Sequence, residues 1–211
     1  MKAIITGANR GIGAALLDRI PGAIGTSRQP QPPLMQLDVT DPQSHALMKS
    51  ALGDTAVDLL ICNAGVYLDK GQSLENGFEA DVWAATFAAN VTGVFLTVQS
   101  LLPNLKRAGT PKIAIISSAM GSQANAPGGA YAYRASKAAA VNLARNLAQD
   151  LAPDGIAVGA YHPGWVRTDM GSQAADISVE ESSSGLVDRF GELDLASTGC
   201  FRTYSGQDIP F

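Results

Sequence analysis

The stretch Lys2-Ala3-Ile4-Ile5-Thr6-Gly7-Ala8-Asn9-Arg10-Gly11-Ile12-Gly13 decides the fold. A short apolar run, read as a strand over Lys2–Thr6, meets three glycines in seven residues. An amphipathic pattern then predicts a helix over Ile12–Ile20. Glycines at such a junction let the backbone turn sharply and come close to a ligand. The helix N-terminus beyond them presents unpaired N–H groups and a partial positive charge, which together suit a pyrophosphate. The spacing G-x-x-x-G-x-G differs from the dinucleotide pattern G-x-G-x-x-G, and a plain structural turn would use the same glycines. The strand–turn–helix setting favours the nucleotide reading.

Outward from this turn, short apolar runs alternate with longer helical patterns, the mark of parallel βαβ units. Further strands are predicted at Ala23–Thr26, Leu34–Leu37, Val57–Cys62, Lys112–Ser117, Ala157–Tyr161 and Cys200–Tyr204. Further helices are predicted at Asp41–Leu52, Gly77–Ala88, Val91–Arg107, Tyr133–Leu151 and Val179–Phe190. Asp41-Pro42 supplies a capping side chain followed by a proline at the first helical position. Pro153-Asp154-Gly155 stops the long helix. Gln29–Pro33, with three prolines in five residues, reads as an extended connection. With no repeat or interdomain linker, residues 1–211 read as a single domain.

Composition narrows the function. Apolar residues make up 46% and charged residues 16%, a globular balance. The net charge of -4 argues against a nucleic-acid surface, and no continuous apolar run approaches the ~20 residues of a membrane span. The apolar start is too short for an export signal. Cys62 and Cys200, both in apolar stretches, are expected to be buried free thiols in a reducing, cytoplasmic setting. His45 and His162 stand apart from any ligand cluster, so no metal site is expected.

Tyr133 and Lys137 are four apart on a predicted helix and therefore share a face. A phenol with a pKa of ~10 is a poor base near neutrality, and a neighbouring cation stabilises its phenolate. Ser118 follows the strand Lys112–Ser117, at the end of a parallel strand where ligand clefts form. Strand alternation sends Ser117 and Ser118 to opposite faces. Tyr131 has Ala135 where Tyr133 has Lys137.

These separated motifs resemble, in order and across nearly the whole chain, the short-chain dehydrogenase/reductase family. Thr6-Gly7-Ala8-Asn9-Arg10-Gly11-Ile12-Gly13 is similar to its T-G-x-x-x-G-x-G motif. Asp38-Val39 resembles its adenine-contacting acidic site, and Cys62-Asn63-Ala64-Gly65 its N-N-A-G turn with cysteine in first place. Asn90-Val91-Thr92-Gly93 resembles N-V-x-G, and Pro163-Gly164 its P-G motif. Gly128–Tyr133 and Gly199–Phe211 resemble a C-factor-like subgroup that includes carbonyl reductases and proteins named for intercellular signalling.

The resemblance implies a three-layer α/β/α Rossmann-type sandwich with a mostly parallel, doubly wound sheet ordered 3-2-1-4-5-6-7. It implies that Tyr133 transfers the proton, Lys137 lowers the tyrosine pKa and holds the nicotinamide ribose, Ser118 orients the substrate oxygen, and Asn90 supports a water-linked path to Lys137. The backbone near Val166 and the Thr168 hydroxyl would hold the carboxamide. Family members that use NAD carry an acid after the second strand. Here Gly25-Thr26-Ser27-Arg28 has none, and Arg28 with Arg10 suits the 2′-phosphate of NADP(H). Two solvated arginines are the alternative.

The expected substrate is a small carbonyl or alcohol, with Val66, Tyr67, Met120, His162 and Trp165 as candidate pocket residues and Gly171–Ser184 as a candidate lid. His162 could equally pack, and the lid could be a plain surface loop. Homodimers or homotetramers are expected through Val91–Arg107 and Tyr133–Leu151, where Ala135, Ala138 and Ala139 permit close approach or pack on the sheet. A nucleotide-binding regulatory protein with little turnover is the rival reading. A sugar-nucleotide epimerase or dehydratase would need a larger C-terminal part.

Overall fold

The computed structural model describes residues 1–171 and 174–211. Among them, seven parallel strands form one sheet ordered β3-β2-β1-β4-β5-β6-β7. The strands are β1 (Ala3–Ile5), β2 (Ile24–Ser27), β3 (Met35–Gln36), β4 (Leu59–Cys62), β5 (Lys112–Ile116), β6 (Ala157–His162) and β7 (Phe201–Thr203). Helices α1 (Gly11–Arg19), α2 (Pro42–Leu52), α3 (Ala80–Phe87), α4 (Gly93–Leu105), α5 (Tyr131–Leu151) and α6 (Val179–Glu192) connect them.

Strand alternation builds two cores. Ile4, Leu60, Ile113 and Ile115 face Met48, Val98, Leu101 and Ala144 of α2, α4 and α5. Their neighbours Ile5, Leu59, Ile61, Ala114 and Ile116 face Leu16, Leu186 and Phe190 of α1 and α6. Both faces of the sheet are thus covered, which explains the continuous apolar strands. Each fully buried leucine or isoleucine contributes roughly 1.5–3 kcal/mol.

Local chemistry sets several boundaries. Asp41 caps α2 by accepting from the Gln43 N–H, with Pro42 behind it, as its sequence predicts. The two helices predicted at Gly77–Ala88 and Val91–Arg107 are joined by a π-helical turn, Ala88–Thr92, which carries Asn90. The resulting helical run Ala80–Leu105 is long and apolar enough to cross a membrane by length and composition, although Asp81, Asn90 and Gln99 interrupt it and it is no continuous apolar run. In the fold its buried stripe of Val94, Val98, Leu101 and Leu105 packs on the sheet core. Cys62 is buried, whereas Cys200, contrary to expectation, is only half-buried; its thiol lies 3.7 Å from the Tyr161 hydroxyl.

Because all strands run the same way, the segments after β1, β4, β5 and β6 emerge on one edge. The strand order reverses between β1 and β4, and a crevice opens at such a switch point.

Candidate active site

The glycine turn is held open by its neighbours. A Cβ on Gly13 would stand 2.2 Å from the Gly7 carbonyl oxygen, and one on Gly7 would stand 2.9 Å from the Ala64 Cα. Only glycine permits this approach. The loop after β4 is pinned to the turn from both sides. Thr6 Oγ1 accepts from the N–H groups of Asn63 and Ala64, and Asn63 Nδ2 donates to the carbonyls of Thr6 and Gly7. No side chain caps the start of α1, so its first N–H groups are available to an anion.

A cleft of about 720 Å³ runs along this edge. Gly7, Asn9, Arg10, Gly11, Ile12 and Gly13 line it, as do Arg28, Asp38, Val39, Asn63, Ala64 and Gly65, together with Tyr133, Lys137, Pro163 and Thr168. Gly164 and Val166 are not among its walls; Val166 is buried and pairs with Ile177. Ser27, Thr40, Ala89, Arg167 and Met170 also line the cleft, unflagged by the sequence. Only their position near the recognised motifs could have suggested them.

Asp38 and Arg28 work together. The Asp38 carboxylate accepts from the Thr40 N–H and hydroxyl at 2.9 and 2.7 Å. Burial raises its pKa, but those bonds and the nearby Arg28 charge outweigh it and hold the group below its ordinary value. Arg10 pairs across the cleft with Asp169 at 2.8 Å. Thr168 lies over the turn, its methyl 3.5 Å from where a Gly11 Cβ would be. Its hydroxyl accepts from the Gly171 N–H. An uncapped helix start, a glycine-rich turn and two arginines fit the phosphates of a dinucleotide.

Tyr133 and Lys137 lie on the inward face of α5, both buried. The Lys137 ammonium stands 5.6 Å from the centre of the Tyr133 ring and donates to the Ile116 carbonyl at 3.0 Å. Burial lowers Lys137 to about 8. Burial likewise pushes the Tyr133 phenol up to about 12, against the lowering effect of the nearby Ser118 hydroxyl. In the protein alone the phenol thus stands above its ordinary value, because burial disfavours the phenolate. Ser117 borders the cleft, but its hydroxyl donates to the Lys137 carbonyl at 2.9 Å. Ser118 is the serine beside the phenol.

Asn90 lies next to the cleft wall rather than in it. Its amide exchanges two hydrogen bonds with the Val66 backbone and donates to Ser136 Oγ at 2.9 Å. A Cβ on Gly65 would meet both Asn90 Oδ1 at 3.0 Å and Lys137 Nζ at 3.5 Å, so the two groups border one spot.

The candidate substrate residues disperse. Val66 lines the cleft, and Tyr67 stacks on Tyr133 at 4.2 Å and 20°. The Met120 N–H donates to Ser118 Oγ, and Trp165, half exposed, donates to the Gly171 carbonyl. His162 is mostly buried with Nδ1 unpartnered, and burial lowers it to about 4. Of the candidate lid, Ser172 and Gln173 lie outside the described residues, and from Val179 it is helix α6 rather than loop. Among the described residues no cluster of metal-ligating side chains occurs.

Fold and cleft together define a Rossmann-type dinucleotide-binding protein with a tyrosine and a lysine set into the wall. Residues 22–177 match the short chain dehydrogenase family, and the chain belongs to it. It is 38% identical over 156 residues to C-signal of Myxococcus xanthus, spanning 74% of this chain and 93% of that protein. The NADPH-bound carbonyl reductase from chicken fatty liver superposes with a TM-score of 0.90 at 29% identity, covering 100% of this chain and 98% of the other. The carbonyl reductase Sniffer of D. melanogaster gives 0.91 at 27% identity, covering 100% and 99%.

Proposed function

We propose that this chain is an oxidoreductase that transfers a hydride between NADP(H) and a carbonyl or alcohol substrate. The observation that carries the reading is the placement of Tyr133 and Lys137 in the wall of the same cleft into which the uncapped start of α1 opens. The solved chicken carbonyl reductase with NADPH bound supports the choice of cofactor. Bound nicotinamide supplies or accepts the hydride.

The chain's own residues handle binding and the proton. The α1 N-terminus and the glycine turn receive the pyrophosphate, and Arg28 and Arg10 receive the 2′-phosphate. The Ser118 hydroxyl orients the substrate oxygen. Tyr133, protonated at neutral pH, donates its phenolic proton to that oxygen during reduction and takes it back during alcohol oxidation. Lys137, beside the ring, balances the phenolate that forms and reaches the cofactor ribose. Asn90 holds Val66, and with it the loop that faces the reacting groups.

The same reading takes residues 1–211 as one domain working as a homodimer or homotetramer. Ala135, Ala138 and Ala139, only partly buried, lie on the outer side of α5, where a second copy would approach. A nucleotide-binding regulatory role with little turnover has the name C-signal in its favour. The buried Tyr133–Lys137–Ser118 set weighs against it, since binding alone needs no buried phenol. NADPH consumption against a panel of aldehydes and ketones separates the two. Turnover with at least one of them is expected. NADPH binding without turnover of any would overturn the enzyme reading.

A further inference from the structure

Asp69 is the one buried carboxylate among the described residues, 1% exposed, and the proton chemistry above makes no use of it. Its Oδ2 accepts from the N–H groups of Ala132 and Tyr133 at 2.8 and 3.3 Å, in the first turn of α5. Those amides have no acceptor within their own helix. Ala130, at the cap position, offers no side-chain bond and sits at φ 47°. The helix carrying Tyr133 is thus capped from a loop 63 residues away. Two residues earlier in that loop, Tyr67 lies flat against the Tyr133 ring. Asn90 in turn fixes Val66 through both backbone groups. Loop 66–69 therefore holds Tyr133 by backbone and by ring, and the buried Asp69 Oδ1 has no partner among the described residues.

We propose that Asp69 is a positioning residue for Tyr133: it fixes the phenol by capping α5 from the loop after β4. The inference rests on the reading of Tyr133 as the proton carrier. A carboxylate is favoured at a helix N-terminus, and here the same charge faces the phenol. The groups facing the phenol are Lys137 on its own helix, Tyr67 and Asp69 from the loop after β4, and Ser118 after β5. Arg134 acts on Tyr67. The Asp69 charge raises both Tyr133 and Tyr67, in each case as an addition to burial.

Asp69→Ala removes cap and charge; Asp69→Asn keeps an acceptor oxygen and removes the charge. Amide hydrogen exchange at Ala132 and Tyr133 is expected to speed up about tenfold or more in Asp69→Ala and far less in Asp69→Asn. For carbonyl reduction, Asp69→Ala should lower kcat about tenfold or more with NADPH affinity kept, and Asp69→Asn should recover most of that loss at pH 7. In Asp69→Asn the ionisation of the Tyr133 phenol, read as the tyrosinate absorbance that Tyr133→Phe removes, should begin at lower pH, since the phenol loses its proton more readily. Unchanged exchange at both amides in Asp69→Ala overturns the inference, as does a Tyr133 ionisation that does not move in Asp69→Asn. Exchange is read without substrate. An inactive wild type would defeat the proposed function while the exchange result still decided whether Asp69 holds Tyr133.

Discussion

Lys137 holds its ammonium 5.6 Å from the centre of the Tyr133 ring while donating to the Ile116 carbonyl at 3.0 Å. That carbonyl closes β5, so the cation is anchored to the sheet and stays beside the phenol whichever proton Tyr133 carries. With Lys137 lowered to about 8 and Tyr133 raised to about 12, the pair near pH 7 is a charged ammonium and a neutral phenol. This is the proton inventory that reduction needs. Reduction is expected to hold steady below about pH 8 and to fall as pH rises and Lys137 loses its charge, while oxidation rises with pH. Lys137→Met should lose that alkaline step and slow turnover about 10²-fold. A pH–rate profile of both proteins checks this.

Arg28 faces Asp38 at the cleft, and Arg10 is paired with Asp169 on an exposed bridge, 72% and 80% accessible. Such a surface pair is worth about 0–1 kcal/mol and yields readily to a phosphate. Arg28→Ala should weaken NADPH binding by about 10–100-fold and leave NADH binding nearly unchanged. Asp169→Asn, which releases Arg10, should tighten NADPH binding about two- to fivefold. Fluorescence titration with each nucleotide measures both effects.

The glycine turn tolerates no methyl at its centre. A Gly13→Ala Cβ would lie 2.2 Å from the Gly7 oxygen and 2.6 Å from Asn63 Nδ2, so backbone must move. A loss of about 1–3 kcal/mol in unfolding free energy is expected, with NADPH binding weakened further. Denaturant unfolding with and without nucleotide separates the two losses.

His162 gives an acid-side prediction. Its folded pKa of about 4 lies below the ordinary 6.5, because burial disfavours the cation. Between those values the unfolded chain binds more protons, so stability is complete above pH 6.5 and is lost as pH falls through about 4. The contribution is at most about 3 kcal/mol. His162→Gln should unfold with a shallower dependence over this window than the wild type. Equal slopes would show that His162 is solvated.

Sequence reading found the central strands β1, β4, β5 and β6 because each is an apolar run buried on both faces, and it found the glycine turn because backbone approach leaves a residue signature. It missed the join at Ala88–Thr92, since a π-helical turn breaks the 3.6 period on which the helix pattern depends. Of Val66, Tyr67, Met120, His162 and Trp165 only Val66 lines the cleft, because an apolar residue after a strand looks the same whether it faces a cleft, stacks on a tyrosine or packs away. Asp69 left no trace: a helix cap delivered from 63 residues off has no local pattern. Spacing reveals the cation beside Tyr133 but not how deeply the phenol is buried.

The most direct test of the central claim is NADPH oxidation by Tyr133→Phe, with a carbonyl substrate that the wild type reduces and with bound NADPH verified by fluorescence. Turnover should fall about 10²–10⁴-fold at unchanged nucleotide affinity. A rate within threefold of wild type, nucleotide bound, would mean the proton comes from elsewhere.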